Sequence, residues 1–223
     1  MLQGFEGHII GVCGSKDTGK TVVVEGLVRF LTAKGFTVGT VKHVHGEIAL
    51  EPKAKDSTRH LAAGADRVVA VGDGVTQVMM QEKDQGSPAD LLERAAARYL
   101  FACDYVVVEG FKHVDIPKIV VTRQPDDMPQ HLENVVACVY QGTRPDVLPA
   151  FKPDEIEKLV NFLFESGVLA PVGPGAHLTV NGKPVSMNEF VRRALTGVLE
   201  GFVGSLRDVE PPAEIEISIK HPR

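Results

Sequence analysis

Gly14-Ser15-Lys16-Asp17-Thr18-Gly19-Lys20-Thr21 is a glycine, four residues, then Gly-Lys-Thr, the spacing of a phosphate-binding P-loop. This stretch constrains the fold more than any other, because such a loop works only between a buried strand and the start of a helix. The flanks agree. His8 to Val12 reads as a short apolar strand running into the loop, and Val24, Leu27, Val28 and Leu31 recur at the spacing of one helix face. The bare spacing alone would arise by accident in roughly one chain in a hundred of this length, and the strand and helix around it lower that figure.

The residue types suit the chemistry. Backbone N–H groups converge on phosphate oxygens only where side chains do not block them, hence glycine at 14 and 19. The following helix adds the positive end of its dipole. Lys20 supplies a mobile charge to the β- and γ-phosphates, and the Thr21 hydroxyl is a ligand for Mg²⁺. The candidate nucleotide contacts are therefore Gly14, Ser15, Lys16, Asp17, Thr18, Gly19, Lys20, Thr21 and Val22.

Further along, Phe36 to Val41 reads as a second strand ending at Lys42-His43-Val44-His45, and Gly46 to Lys55 as a polar loop. Asp56 or Ser57 is placed to cap a short helix with Gly64 at its C-terminal end. Asp66 to Val71 and Val75 to Gln81 read as strands around an Asp73-Gly74 turn. Ser87-Pro88-Ala89-Asp90 opens a helix whose expected apolar face is Leu92, Ala95, Ala96 and Tyr99. Tyr105 to Val108 is a fully apolar strand ending in Glu109. Strands follow at Ile116 to Thr122 and Val135 to Tyr140, then a helix over Pro153 to Ser166.

Apolar strands alternating with helices predict an α/β P-loop NTPase fold, a mostly parallel sheet with helices on both faces. Residues 1–168 are expected to form it. The Pro- and Gly-rich stretch 167–175 reads as a linker to a small α+β unit over 176–223. In that unit Asn181-Gly182 is a hairpin signal, Ser186 to Glu189 a capping box for a helix reaching about Leu206, and Ala213 to Lys220 a final strand.

Ligands in such sheets bind at the carboxyl ends of strands. The P-loop, Lys42, His43 and Glu109 all lie there. A carboxylate closing an apolar strand is placed to serve the Mg²⁺ of a P-loop protein, directly or through water; the alternative is a solvated strand end. Arg123 and Asp126, past the sixth strand, sit where a base-reading loop would lie. His43 and His45 point to opposite faces if their strand continues, which argues against a metal pair. Asp56 is either a helix cap or a site residue. Lys112 and Lys118 are either solvated or functional. Cys13 is either packed or a reactive thiol beside the loop.

Composition excludes some partners. A net charge of −5 offers no clustered cations for nucleic acid. The three cysteines form no C-x-x-C pair. With neither a signal-peptide pattern nor an apolar stretch near ~20 residues, a soluble, cytoplasmic protein without membrane partners is expected.

Three stretches together resemble the MobB family of molybdopterin guanine dinucleotide biosynthesis. They are the P-loop, then Lys42-His43-Val44-His45 leading to Lys55-Asp56-Ser57-Thr58-Arg59 and Ala63-Gly64-Ala65, and Glu109-Gly110-Phe111-Lys112 followed by Pro117-Lys118-Ile119. The resemblance covers residues 8–165. It implies a Mg²⁺-dependent GTP binder with weak GTPase activity at most, acting as an adapter beside the molybdenum cofactor guanylyltransferase. Molybdoenzymes or cofactor-insertion proteins are further implied partners, and a homodimer the implied assembly. Carried over by position, Lys20 holds phosphate, Thr21 and Glu109 serve Mg²⁺, and Asp56 lies near the γ-phosphate as a further metal or water contact. Lys20, Glu109 and Asp56 are thereby the catalytic candidates. The family usually carries Asp near Glu51 and Gly near Ala54, so the chain departs from it there. No Asn-Lys-x-Asp guanine signature is present, and guanine specificity rests on the resemblance. A P-loop small-molecule kinase and a metallocentre-maturation GTPase remain the alternatives.

Overall fold

A computed structural model of the chain describes residues 8–44, 46, 55–81, 86–124, 127–128, 131–146, 148–170, 176, 178–180, 183–185, 187–207, 215 and 217. The central layer is a six-stranded sheet, all of whose neighbouring strands run parallel. Its strands are β1 (Ile9–Gly14), β2 (Val38–Lys42), β5 (Tyr105–Glu109), β6 (Lys118–Thr122), β7 (Val135–Tyr140) and β8 (Ala150–Phe151), in the spatial order β2-β5-β1-β6-β7-β8. Helices α1 (Lys20–Ala33) and α4 (Ile156–Glu165) cover one face and α3 (Pro88–Tyr99) the other. This is the α/β architecture expected from the strand–helix alternation.

β5 shows why both faces must be covered. Tyr105 and Val107 join the core beneath α1 and α4, while Val106 and Val108 join the core beneath α3. All four are buried, so the run is apolar at every position rather than alternate ones. Helix α1 buries Val23, Val24, Leu27 and Leu31. Full burial of one such leucine contributes about 1.5–3 kcal/mol. α4 comes so close to α1 that a Cβ on Gly26 would lie 2.9 Å from Ile156 Cγ1. At the far end of α1, Gly35 takes φ 91°, and the N–H groups of Gly35 and Phe36 reach the carbonyls of Thr32 (2.9 Å) and Leu31 (3.2 Å). That pairing closes the helix and turns Phe36 into the core.

α3 starts as its sequence predicts: Ser87 accepts from the Asp90 N–H at 3.2 Å, and Asp90 accepts from the Ser87 N–H at 2.9 Å. Its buried face is Leu92, Ala96 and Ala97; Tyr99 is half exposed and donates its hydroxyl to Met80 Sδ.

Elsewhere the structure corrects the boundaries. The strands expected over 66–81 form β3 (Arg67–Gly72) and β4 (Val75–Met80), but as an antiparallel hairpin outside the main sheet, with α2 (Lys55–Ala62) packed on it. Because α2 begins at Lys55, Asp56 and Ser57 lie inside its first turn and do not cap it. β6 begins at Lys118, not Ile116, since Pro117 has no N–H for the ladder. α4 starts at Ile156 rather than Pro153: the Glu155 carboxylate turns back to accept from the Lys152 N–H at 2.9 Å, closing a turn first. β8 was not expected from the sequence; two residues are too few to show a pattern.

Near the C-terminus, β9 (Thr179–Val180) and β10 (Lys183–Pro184) pair antiparallel around residues 181–182. α5 (Glu189–Gly204) is capped by Asn188, whose Oδ1 accepts from the Val191 N–H at 2.9 Å, so the helix starts later than a Ser186 cap would place it. Ser186 and the segment 213–220, apart from residues 215 and 217, lie outside the described residues. Among the described residues no helix is long and apolar enough to cross a membrane.

Candidate functional site

β1 carries the chain to the carboxyl edge of the sheet and releases it into the P-loop at Gly14. A Cβ there would run into the Val121 carbonyl of β6. At the other end of the loop Gly19 is the N-cap of α1 in a left-handed conformation, φ 89°, ψ 20°. Its absent side chain matters as well: a Cβ would lie 2.7 Å from Gln141 Nε2. Both glycines are thus required by shape and one by conformation. Asp17, between them, has φ 60°, unusual for a residue with a side chain.

Side chains brace the loop from several sides. Thr18 Oγ1 donates to the Ser15 carbonyl at 3.0 Å, and Lys20 Nζ donates to the same carbonyl at 2.6 Å. Arg123, just past β6, donates from Nη2 to the Asp17 carbonyl. Gln141, just past β7, donates from Nε2 to the Thr18 carbonyl at 3.1 Å. Lys16, Asp17 and Val22 are exposed.

Thr21, in the first turn of α1, faces Glu109 at the end of β5. Its Oγ1 lies 3.2 Å and 3.3 Å from the two carboxylate oxygens, long for an O–H···O bond. The β2–β5 register pairs Lys42 with Glu109, and Lys42 Nζ sits 3.3 Å from Glu109 Oε1. The carboxylate is 13 % exposed and the lysine 61 %. The ladder then continues past both strands. The His43 N–H donates to the Glu109 carbonyl at 2.9 Å, and the His43 ring stacks on Phe111 with centroids 4.5 Å apart. Gly110, at φ 96°, lets His43 close in: a Cβ there would be 2.9 Å from His43 Cβ.

A hydroxyl and a carboxylate facing each other are hard oxygen donors of the kind Mg²⁺ takes. Among the described residues no three His, Cys, Asp or Glu side chains group to hold a metal. A cation at Thr21 and Glu109 would therefore draw its other ligands from phosphate and water, and the residues fit such an ion.

The sheet edge thus brings together Gly14 to Thr21, Lys42, His43, Glu109 and Arg123. Among the described residues no hydrogen bond or ion pair ties Asp56 to this edge. That residue is on α2, against the β3–β4 hairpin; its carboxylate is 89 % exposed and pairs with Arg59 Nη1 at 3.7 Å. His45, Glu51, Ala54 and Asp126 lie outside the described residues.

Two alternatives left by the sequence are decided. Lys112 is exposed, but Lys118 is 1 % exposed and donates to the carbonyls of Ile116 and Glu133, each at 3.0 Å, so it is neither solvated nor a phosphate contact. Burial lowers its pKa below the ordinary lysine value. Cys13 is packed, not a poised nucleophile: burial pushes its thiol up to about 11, outweighing the nearby lysines. Gln141 was missed, although it follows the apolar strand Val135–Tyr140 directly and the strand-end rule that marked Arg123 applies to it equally.

Comparison with known proteins agrees with this geometry. The sequence profile of the family described as "MobB: Molybdopterin guanine dinucleotide synthesis protein B" matches residues 9–141. A molybdopterin-guanine dinucleotide biosynthesis adapter protein of Haemophilus influenzae is 34 % identical over 116 residues, 52 % of this chain and 64 % of that protein. A putative adapter protein of the same description from Methanocaldococcus jannaschii is 23 % identical over 236 residues, 95 % of this chain and 97 % of that protein. The crystal structure of a MobB homologue from Bacillus stearothermophilus superposes with a TM-score of 0.52 at 27 % identity, covering 71 % of this chain and 97 % of that one. The chain spans just under two thirds of the Haemophilus protein but nearly all of the archaeal one. A P-loop braced from β6 and β7, a strand-end glutamate opposite its threonine, and a profile match over more than half the sequence lead to one conclusion: this chain belongs to the MobB family.

Proposed function

We propose that the chain binds GTP with Mg²⁺ at the P-loop and works in the cytoplasm as an adapter in molybdopterin guanine dinucleotide biosynthesis, beside the guanylyltransferase that consumes GTP. The observation that carries this reading is the meeting of Thr21 and Glu109 at the N-terminus of α1, next to a loop whose backbone is kept clear by Gly14 and Gly19. Mg²⁺, when bound, neutralises charge on the β- and γ-phosphates. The chain's own part is to hold the phosphates with the loop N–H groups and Lys20, and to present oxygens from Thr21 and Glu109. Lys42, already against Glu109, adds positive charge at the rim.

Hydrolysis by the chain alone is slow in this reading. A well-placed arginine is worth about 10³–10⁵ in rate to a P-loop enzyme. Arg59 is engaged with Asp56 on α2 and Arg123 with the loop backbone. The β3–β4 hairpin exposes Val69, Val71 and Val78 on one face, a strip that a second copy of the chain would cover in the homodimer.

Titration calorimetry with GTP and ATP, with and without Mg²⁺, tests the nucleotide. Mg²⁺-dependent binding selective for GTP is the expected result. Preference for ATP would overturn the reading and make a small-molecule kinase the better one; acceptor-dependent ADP formation would then identify it.

A further inference from the structure

We infer that Gln141 is a positioning residue of the phosphate site, holding the P-loop in its anion-binding shape before any ligand arrives. The inference rests on the nucleotide reading above and adds to it a residue outside the glycine-lysine motif.

The argument begins with the peptide group. In a trans peptide the C=O of one residue and the N–H of the next point in opposite directions. Gln141 Nε2 holds the Thr18 carbonyl at 3.1 Å, and Arg123 Nη2 holds the Asp17 carbonyl. Both grips come from the β6–β7 side, on consecutive peptides. The N–H groups of Thr18 and Gly19 are thereby turned away from β6 and β7, and neither meets a protein acceptor among the described residues. Two adjacent amides turned the same way and left without partners are the elements of an anion nest.

The loop needs holding. Asp17 has φ 60°, a conformation that persists at a side-chain-bearing residue only when the surroundings favour it. The grip on Thr18 is rigidly supplied. The Gln141 N–H donates to the Thr122 carbonyl at 3.1 Å, continuing the β6–β7 ladder, and Gly142 lies against the Arg123 carbonyl too closely for a Cβ. The amide orientation is not ambiguous either, because a carbonyl only accepts, so the group facing Thr18 is the NH₂. The glycine at 19 belongs to the same device: it leaves the space into which the Gln141 amide reaches.

A positioning residue acts on every ligand that uses the nest, whereas a base or ribose contact acts on the nucleoside alone. The test therefore uses the full chain, wild type and Gln141→Met, titrated with GTP, GDP and inorganic pyrophosphate in the presence of Mg²⁺. Methionine keeps the length and removes the donor. The expected result is an equal loss, about tenfold, for all three ligands. Amide chemical-shift changes confined to residues 17–19 of the ligand-free variant, with β1 and β6 unchanged, are expected beside it. Unchanged pyrophosphate affinity would overturn the inference, as would a loss confined to GTP and GDP. Should the methionine variant fold poorly, Gln141→Leu repeats the test with an uncharged side chain that cannot donate. Lys20→Ala separates the two levels of the argument. If wild type binds these ligands and Lys20→Ala does not, a null result at Gln141 sinks only this inference. If wild type binds none of the three, the nucleotide reading fails and this inference fails with it.

Discussion

Replacing Lys118 by methionine tests how the core beneath the site is held. The lysine lies at the start of β6, almost wholly buried, and its ammonium donates to the Ile116 and Glu133 carbonyls at 3.0 Å each. Among the described residues no carboxylate is ion-paired to it, so the two carbonyls carry its solvation. Methionine matches the stem but orphans both carbonyls. Leaving one buried polar group unpaired costs about 1–3 kcal/mol, so two would cost about 2–6 kcal/mol. Against this stands the relief of no longer burying a charge, which is the reason the lysine pKa is lowered. The net expectation is a loss of about 1–4 kcal/mol at pH 7, read by urea denaturation. The pH dependence carries a definite sign. With the folded-state pKa below the unfolded value of 10.5, the unfolded chain holds the proton more tightly, so the Lys118 contribution rises as pH climbs from the folded-state value toward 10.5. Buried Cys13 and Cys138, each raised to about 11, act oppositely: their contribution is present below the unfolded value of 9.0 and is lost as pH rises through about 11. They are common to both proteins, so the difference between wild type and Lys118→Met isolates the lysine. That difference should grow in favour of wild type between neutral pH and pH 10. A variant within ~0.5 kcal/mol of wild type, or a difference that shrinks with pH, would refute the account.

Glu109→Gln keeps the shape of the strand end but halves its value to a cation; it should remove most of the Mg²⁺-dependent part of GTP affinity, at least tenfold by calorimetry, and equal affinities with and without Mg²⁺ in wild type would defeat the assignment. Thiol titration of the native protein at pH 8 should modify Cys103 first, with Cys13 and Cys138 reacting only on unfolding, because both are buried and held protonated; rapid loss of all three thiols would contradict the packing. Val71→Arg together with Val78→Arg, on residues of one hairpin face that are 80 % and 52 % exposed, should shift light-scattering mass to the monomer while leaving the melting temperature of a dilute sample nearly unchanged; an unaltered dimer would place the interface elsewhere.

The parts of this molecule legible in the sequence were those with a local cause. The P-loop spacing, the Ser87–Asp90 cap, the Gly35 stop and the apolar run of β5 each follow from residues near one another, and each appears in the structure. What was not legible depends on distant chain. Nothing local tells that β3 and β4, among the described residues, pair only with each other, since their alternation would suit a sheet edge equally well. Lys118 looks like any strand-end cation until the carbonyl of Glu133, 15 residues on, is seen above it. Gln141 and Gly19 are separated by more than a hundred residues, and their contact explains the glycine better than either position does alone. The resemblance draws Asp56 toward the phosphates, whereas in the structure its exposed carboxylate pairs with Arg59 on α2, the helix that packs on the hairpin.

The parallel sheet explains how a few residues suffice for the site. All its strands point the same way, so the ends of β1, β2, β5, β6 and β7 meet at one edge, and each delivers one polar feature there: the P-loop, Lys42, Glu109, Arg123 and Gln141. Register makes the placement discrete. Val12 is opposite Glu109 and Lys42 is opposite Glu109 on the other side, and a slip of one residue in β5 would turn the carboxylate to the other face of the sheet. The same slip would exchange Val106 and Val108 with Tyr105 and Val107 between two filled cores, exposing a mismatch in volume on both sides at once. The geometry of the edge is therefore fixed by the apolar interior several residues behind it. Substitutions in the middle of β5 that change volume should weaken nucleotide binding without touching any group that meets the nucleotide.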